Sequence, residues 1–317
     1  MQRLTPVSVV SAALVLALLR ALPAAVAAEP TSPASSPATS AAAPGGVAAS
    51  APTRTLVIKP LVDALDDRAE PMVIGGVQAS PGAYPASFQV TTADRICTWF
   101  LVGSQALLSA AHCVAGADAT EPVANVELPM AGKTFKATCS ISAGYWKDRS
   151  QDWTACRIAE PVPVPGTGGT GMVGFEVLDG SLEALAVDLK VEISGYGCVT
   201  PNGAPVPGYR IGTASVRELP PDALLPQAAV QTPNAIKLAQ SPAILCEGDS
   251  GGPAFRYVDN IRRVVIGINS RTLIKSRISF LASVSTSRAR TFLSEWAAAN
   301  HVTICGLHPQ AANCRPS

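Results

Sequence analysis

The sequence predicts an all-β domain that ends in one helix, and three observations predict it. After Met72 the chain breaks into short apolar or alternating runs, among them ASFQVTT, TWFLVGSQALLSA, VDLKVEISGYG, YRIGTASVREL and RRVVIGINS. Turn-forming residues separate these runs, and short strands at modest spacing argue for a sandwich or a barrel. Only Ser287 to Asn300 departs, with Phe292, Leu293 and Trp296 at helical spacing and small or polar residues between them. That is the period of an amphipathic α-helix.

The residues before this domain read differently. Residues 1–28 have the layout of a secretory signal: Arg3 near the start, an apolar run from Val7 to Leu19, and Ala25, Val26, Ala27 and Ala28 before Glu29. The run is short for a bilayer and Arg20 interrupts it, so a retained anchor is the weaker reading. From Glu29 to about Thr53 the chain is almost wholly Ala, Pro, Ser, Thr and Gly, a composition that cannot bury enough apolar surface to order itself. Residues 54–72 regain some amphipathic character and fit a short propeptide, which makes 29–72 a spacer and propeptide ahead of a domain at 73–317.

Composition narrows the function classes. The chain has 317 residues, 48% of them hydrophobic, enough for a substantial core. Its formal net charge of +1 favours neither nucleic acid nor an anionic membrane as partner. Eight cysteines, all downstream of the signal, favour disulfides in an exported chain. Without a CxxC pair, and with three histidines in all, a structural zinc site has little to draw on. The Ala- and Pro-rich composition fits a GC-rich bacterial source, which leaves extracellular and periplasmic destinations both open.

The chemistry centres on Gly248-Asp249-Ser250-Gly251-Gly252-Pro253. A serine hydroxyl is a weak nucleophile until a base takes its proton, and the oxyanion it creates must meet donors already in place. Glycines let the amides of Gly248 and Ser250 converge on one spot beside the serine oxygen. Asp249, an acid aimed into the protein, needs a positive partner. Upstream, Leu107-Leu108-Ser109-Ala110-Ala111-His112-Cys113 carries the one histidine with catalytic context, since His301 and His308 lie in the C-terminal tail.

These two motifs resemble the nucleophile and general-base segments of chymotrypsin-like serine proteases. Across about residues 73–300, the resemblance implies two six-stranded antiparallel β-barrels, the first from Val73 to about Asp179 and the second running on to the C-terminal helix. A disulfide-closed tail at 301–317 follows. It implies a Ser-His-Asp triad of Ser250, His112 and a carboxylate opening an apolar strand. Asp152 fits that frame, with Asp148 as competitor, and Ser270 corresponds to a serine that hydrogen-bonds the triad aspartate. Val73-Ile74-Gly75-Gly76 resembles the family's activation site, where a freed α-amino group pairs with the aspartate before the nucleophile, here Asp249. That implies a zymogen cut after Met72, or after Arg68 with later trimming. The resemblance implies a Cys97–Cys113 disulfide; Cys246 lacks the family's usual partner after the serine, so Cys198 is inferred in its place, and Cys139 with Cys156 and Cys305 with Cys314 complete the set.

For specificity, the resemblance places Ile244 at the floor of the primary pocket, Thr272 and Ser279 on its walls and Glu247 at its rim. Isoleucine at the floor leaves a Lys or Arg substrate unpaired, and threonine narrows the space, so small or medium apolar side chains are expected. The reading is therefore a secreted, monomeric serine endopeptidase without cofactor or metal. Its partners are a protein or peptide substrate and an activating protease, with no nucleic acid and no membrane after signal removal. A silent relative that uses the fold as a binding or regulatory module is the rival. GDSGG also satisfies the GxSxG pattern of esterases, but Pro253 argues against the helix that should follow such a serine.

Overall fold

In the computed structural model the described residues are 55–56, 73–80, 82–91, 95–115, 125–130, 133–166, 174–181, 184–220, 233–239, 241–259 and 262–315. The signal and the spacer lie outside them, as does the propeptide apart from 55–56. In chain order the strands of the first sheet are β1 (Thr55–Leu56), β3 (Ser87–Thr91), β4 (Ile96–Gly103), β5 (Ala106–Ser109), β6 (Asn125–Met130), β7 (Lys133–Ile141) and β8 (Thr154–Ile158). Between β1 and β3 comes β2 (Val77–Gln78), which belongs to the second sheet. The remaining strands of that sheet are β9 (Lys190–Gly195), β10 (Arg210–Glu218), β11 (Ala235–Leu238), β12 (Pro253–Tyr257), β13 (Arg263–Leu273) and β14 (Ile278–Ser283), and α1 (Ser287–Asn300) ends the domain.

The two halves differ in closure. The second sheet runs β11-β14-β13-β12-β9-β10-β2, and an extra β10–β11 pairing closes six of its strands into a barrel. The first runs β1-β6-β7-β8-β5-β4-β3, antiparallel apart from β1 on β6, and no ladder among the described residues joins β3 to β6. It is a half-barrel, where the resemblance implies a closed one. The stretch from Val73 also departs from the expected first-barrel assignment: β2 pairs with β10, and Val73 is buried among Val191, Ala214 and Ala243 of the second barrel.

The C-terminal helix occupies the expected residues, because its ends carry the right signals. Thr286 caps the first turn by accepting from the Ala289 amide, and His301, at φ 55°, ends the last in the left-handed conformation. Leu293, Trp296, Ala289 and Ala297 face the core. Trp153 stacks on Phe292 and donates its indole N–H to the Ser283 carbonyl, anchoring the residue beside Asp152 to the helix.

The tail beyond the helix is built into the domain. Cys305 and Cys314 are joined, the Cys305 amide donates to Val102 O, and the Arg315 amide donates to Phe175 O. The Arg315 side chain reaches Glu176, where its Nε lies 3.5 Å from Oε1, and Arg263 Nη2 donates to the same oxygen at 3.0 Å. All three side chains are buried. One carboxylate balances two guanidiniums in a buried site, so losing it strands both cations. We expect Glu176→Gln to lower unfolding stability by about 3–5 kcal/mol, measured by chemical denaturation of the oxidised protein.

Candidate active site

The turn between Cys246 and β12 is shaped by two left-handed glycines, Gly248 at φ 97° and Gly251 at φ 84°, conformations that other residues adopt at a cost. Its amides are unevenly committed. Asp249 N donates to Cys246 O, Gly251 N to Asn269 O and Gly252 N to Asp249 O, whereas the amides of Gly248 and Ser250 have no acceptor among the described residues. Two uncommitted donors thus flank Asp249 in the turn that carries the half-buried Ser250.

His112 lies on a short 3-10 turn just after β5, and Asp152 lies just before β8. The antiparallel β5–β8 ladder, with Ser109 opposite Thr154, brings these residues together across 40 positions of sequence. His112 Nδ1 is 2.7 Å from Asp152 Oδ2, and the His112 amide donates to Oδ1 at 2.9 Å. Ser270 Oγ donates to Oδ2 at 2.7 Å. A carboxylate accepts only, so the neutral imidazole carries its proton on Nδ1 and leaves Nε2 free to accept one. Of the two candidate acids, Asp152 is the one at His112. Asp148 accepts instead from the Ser150 amide and hydroxyl and from Asn234 Nδ2.

Ser250 comes from the other half of the molecule. Its carbonyl accepts from Thr98 N at 2.8 Å, and Thr98 follows Cys97, whose disulfide partner Cys113 follows His112. Serine and histidine are therefore both referenced to one stretch of β4. The Ser250 hydroxyl is not hydrogen-bonded to His112 in the intact chain, and such bonds often tighten only when substrate binds. Cys97, His112 and Cys113 cluster closely enough to suggest a metal site, but sulfurs joined in a disulfide are not thiolate ligands.

Asp249 is fully buried. Its carboxylate accepts from Gly197 N at 2.8 Å and from Cys246 N at 2.9 Å. No cation pairs with it among the described residues, and burial pushes its carboxyl up to about 7 despite those two bonds. A Cβ on either Gly195 or Gly197 would sit 2.5 Å from the carboxylate, which explains the glycines of the SGYG run. Val73, still joined to Met72, is fully buried at φ 48°, a strained conformation for a β-branched residue.

The pocket candidates lie where Ile74 meets the strand before the turn. Ile244 is buried and its amide donates to Ile74 O at 3.0 Å. Thr272 and Ser279 are paired across β13 and β14, with hydroxyls 3.4 Å apart, and Ser279 Oγ also accepts from Leu245 N. Glu247 is exposed. The four disulfides pair Cys97–Cys113, Cys139–Cys156, Cys198–Cys246 and Cys305–Cys314, as expected from the sequence.

A family model described as Trypsin matches residues 73–288, more than half of the chain. The chain belongs to the trypsin family. The match takes in His112, Asp152 and Ser250 and stops at the start of α1, so the tail with Arg315 lies beyond what the trypsin-family match covers. With it come a serine-protease fold and the class of serine peptidases. Among the described residues no helix is long and apolar enough to cross a membrane.

Two residues that hold this trypsin-family turn in place escaped the sequence reading. Thr98 Oγ1 donates to Gly248 O at 2.8 Å and accepts from Tyr196 N at 3.0 Å. Asn269 Nδ2 donates to Ser194 O and Asp249 O. Adjacency to Cys97 and to Ser270 was the only signal either offered. Thr98→Val keeps the shape but orphans a buried amide and a buried carbonyl, so stability should fall by about 1–3 kcal/mol, with Thr98→Ser largely restoring it on denaturant titration.

Asp249 sets a pH dependence with a definite sign. Its folded pKa lies above the ordinary carboxylate value, so the folded intact chain prefers the protonated form. Its favourable contribution is complete below about pH 4 and is lost as pH rises through about 7. In the uncut Ser250→Ala protein, stability should fall across that window by on the order of a few kcal/mol. Asp249→Asn should flatten the profile, as read from melts at stepped pH.

Proposed function

We propose that this chain is a secreted serine endopeptidase made as a zymogen, hydrolysing peptide bonds through an acyl-enzyme. The observation that carries the proposal is the Ser270–Asp152–His112 hydrogen-bond chain set beside a serine turn with two uncommitted amides. His112 Nε2 takes the proton from Ser250 Oγ as that oxygen attacks the substrate carbonyl carbon. The Gly248 and Ser250 N–H groups receive the oxyanion, and Asp152 stabilises the imidazolium. His112 then gives the proton to the leaving amine, and water, activated the same way, releases the acyl group. No cofactor takes part.

Activation rests on two strained features of the intact chain. Cutting after Met72 abolishes the Val73 φ torsion, whose left-handed value costs about 1–2 kcal/mol or more. It also creates an ammonium that can meet the Asp249 carboxylate, which has no cation partner among the described residues, and draw its pKa down. Pro71-Met72 offers no basic residue, so the activating protease is not trypsin-like unless it cuts at Arg68 and trimming follows. Mass spectrometry of the secreted protein should find a chain beginning at Val73.

Buried Ile244 and the touching Thr272 and Ser279 hydroxyls favour small or medium apolar residues before the cleaved bond. A fluorophosphonate probe should label Ser250 in the processed protein and not in Ser250→Ala. A peptide-library profile should peak after Ala, Val or Leu. Failure of labelling beside a labelled control protease sinks the enzyme and leaves the binding module, while dominant cleavage after Lys or Arg refutes the pocket.

A further inference from the structure

The loop that delivers Asp152 carries more than the triad needs. Residues 142–153 close on themselves: Ser142 N donates to Trp153 O, Tyr145 N to Ser142 O, Asp148 N to Gly144 O and Gln151 N to Asp148 O. The loop also has one non-triad carboxylate, Asp148, and turns it inward. Asp148 accepts from Ser150, Gln151 Nε2 and Asn234 Nδ2, with Arg288 Nη1 3.8 Å away. What the loop shows to solvent is cationic and aromatic. The exposed Arg149 guanidinium stands 4.3 Å from the Tyr145 ring centroid and 4.7 Å from that of Trp146, and the two rings meet edge to face.

A second guanidinium lies on the same flank. Exposed Arg95 donates to the carbonyl of His112 itself. Both guanidiniums act electrostatically on the Tyr145 hydroxyl, whose pKa is raised by burial first and by Asp152 next, while the two arginines oppose the rise. No carboxylate pairs with Arg149 among the described residues. A guanidinium stacked on aromatic faces is preorganised, and its N–H edge remains available for a carboxylate in its own plane.

We propose that Arg149, seated on Tyr145 and Trp146 and supported by Arg95, is a subsite for an acidic side chain of the peptide substrate. It rests on the protease reading, in which the peptide engages His112, because the loop leads directly to Asp152 at that histidine and Arg95 donates to its carbonyl. The subsite adds a second recognition element: an apolar residue at the cleaved bond and a Glu or Asp elsewhere in the bound segment. The interaction is exposed, so its effect is modest and salt-sensitive.

The test uses matched peptides in which Glu or Gln is walked through the positions on either side of an Ala or Val cleavage point. In one register kcat/KM for the Glu peptide should exceed that for the Gln peptide by about fivefold at low salt. The ratio should fall towards one in 0.5 M salt and in Arg149→Gln, and should invert in Arg149→Glu. The same pairs are titrated against the full chain carrying Ser250→Ala, with tryptophan fluorescence as readout, so the subsite is tested even if no peptide is cleaved. A Glu preference in binding that Arg149→Gln removes supports the subsite whatever the activity. Ratios below twofold in every register, or a preference that survives both Arg149→Gln and Arg95→Gln, overturn it. Fluorophosphonate labelling reports separately on the hydrolytic centre.

Discussion

Everything at the candidate centre depends on the hydrogen bonds that Thr98 makes across the seam between the two β halves. Its amide holds the Ser250 carbonyl, and its hydroxyl bridges Gly248 O and Tyr196 N. Because the Cys97–Cys113 bond ties the same stretch of β4 to the residue after His112, one backbone segment sets the relation between Ser250 and His112. A site assembled from two halves needs such a common reference, since small misplacements of reacting groups are costly.

The second constraint is electrostatic. Asp249 is fully buried with two amide donors and, among the described residues, no cation, which disfavours its charged form. Gly195 and Gly197 are shaped around it, and the turn that presents Gly248 and Ser250 grows directly out of it. In the intact chain burial therefore favours the neutral acid up to about pH 7, and Val73 is itself strained at φ 48°. The proposed cut after Met72 would bear on both, since it removes the Val73 φ torsion and creates an ammonium that could pair with Asp249.

How much of this was legible in the sequence varies with the range of the interaction. The turn glycines, the histidine segment and the helix from Ser287 to Asn300 are local patterns, and each sits where the sequence puts it. The sequence favours Asp152, which opens an apolar strand, over its competitor Asp148 in the more polar KDRSQ stretch. The β5–β8 register and the inward hydrogen bonds of Asp148 separate them. Thr98 and Asn269 gave no signal, since a buried threonine and a buried asparagine look like any strand residues until their partners arrive from the other sheet. Half-barrel closure was likewise invisible, because it depends on whether two edge strands meet.

The sequence by itself determined the chemical inventory: one serine in a glycine turn, one histidine with context, acids to orient it, eight cysteines that can pair, and a helix with its own caps. These follow from local propensity and from residue chemistry that does not depend on distant neighbours. Only the tertiary structure decided which acid meets His112, that Asp249 is buried with no counter-charge among the described residues, that Arg315 in the tail closes a buried cluster on Glu176, and that Arg149 stacks on two rings with no carboxylate partner among the described residues. Each of those depends on desolvation and on contacts between residues far apart in the chain, and a linear pattern does not carry that information.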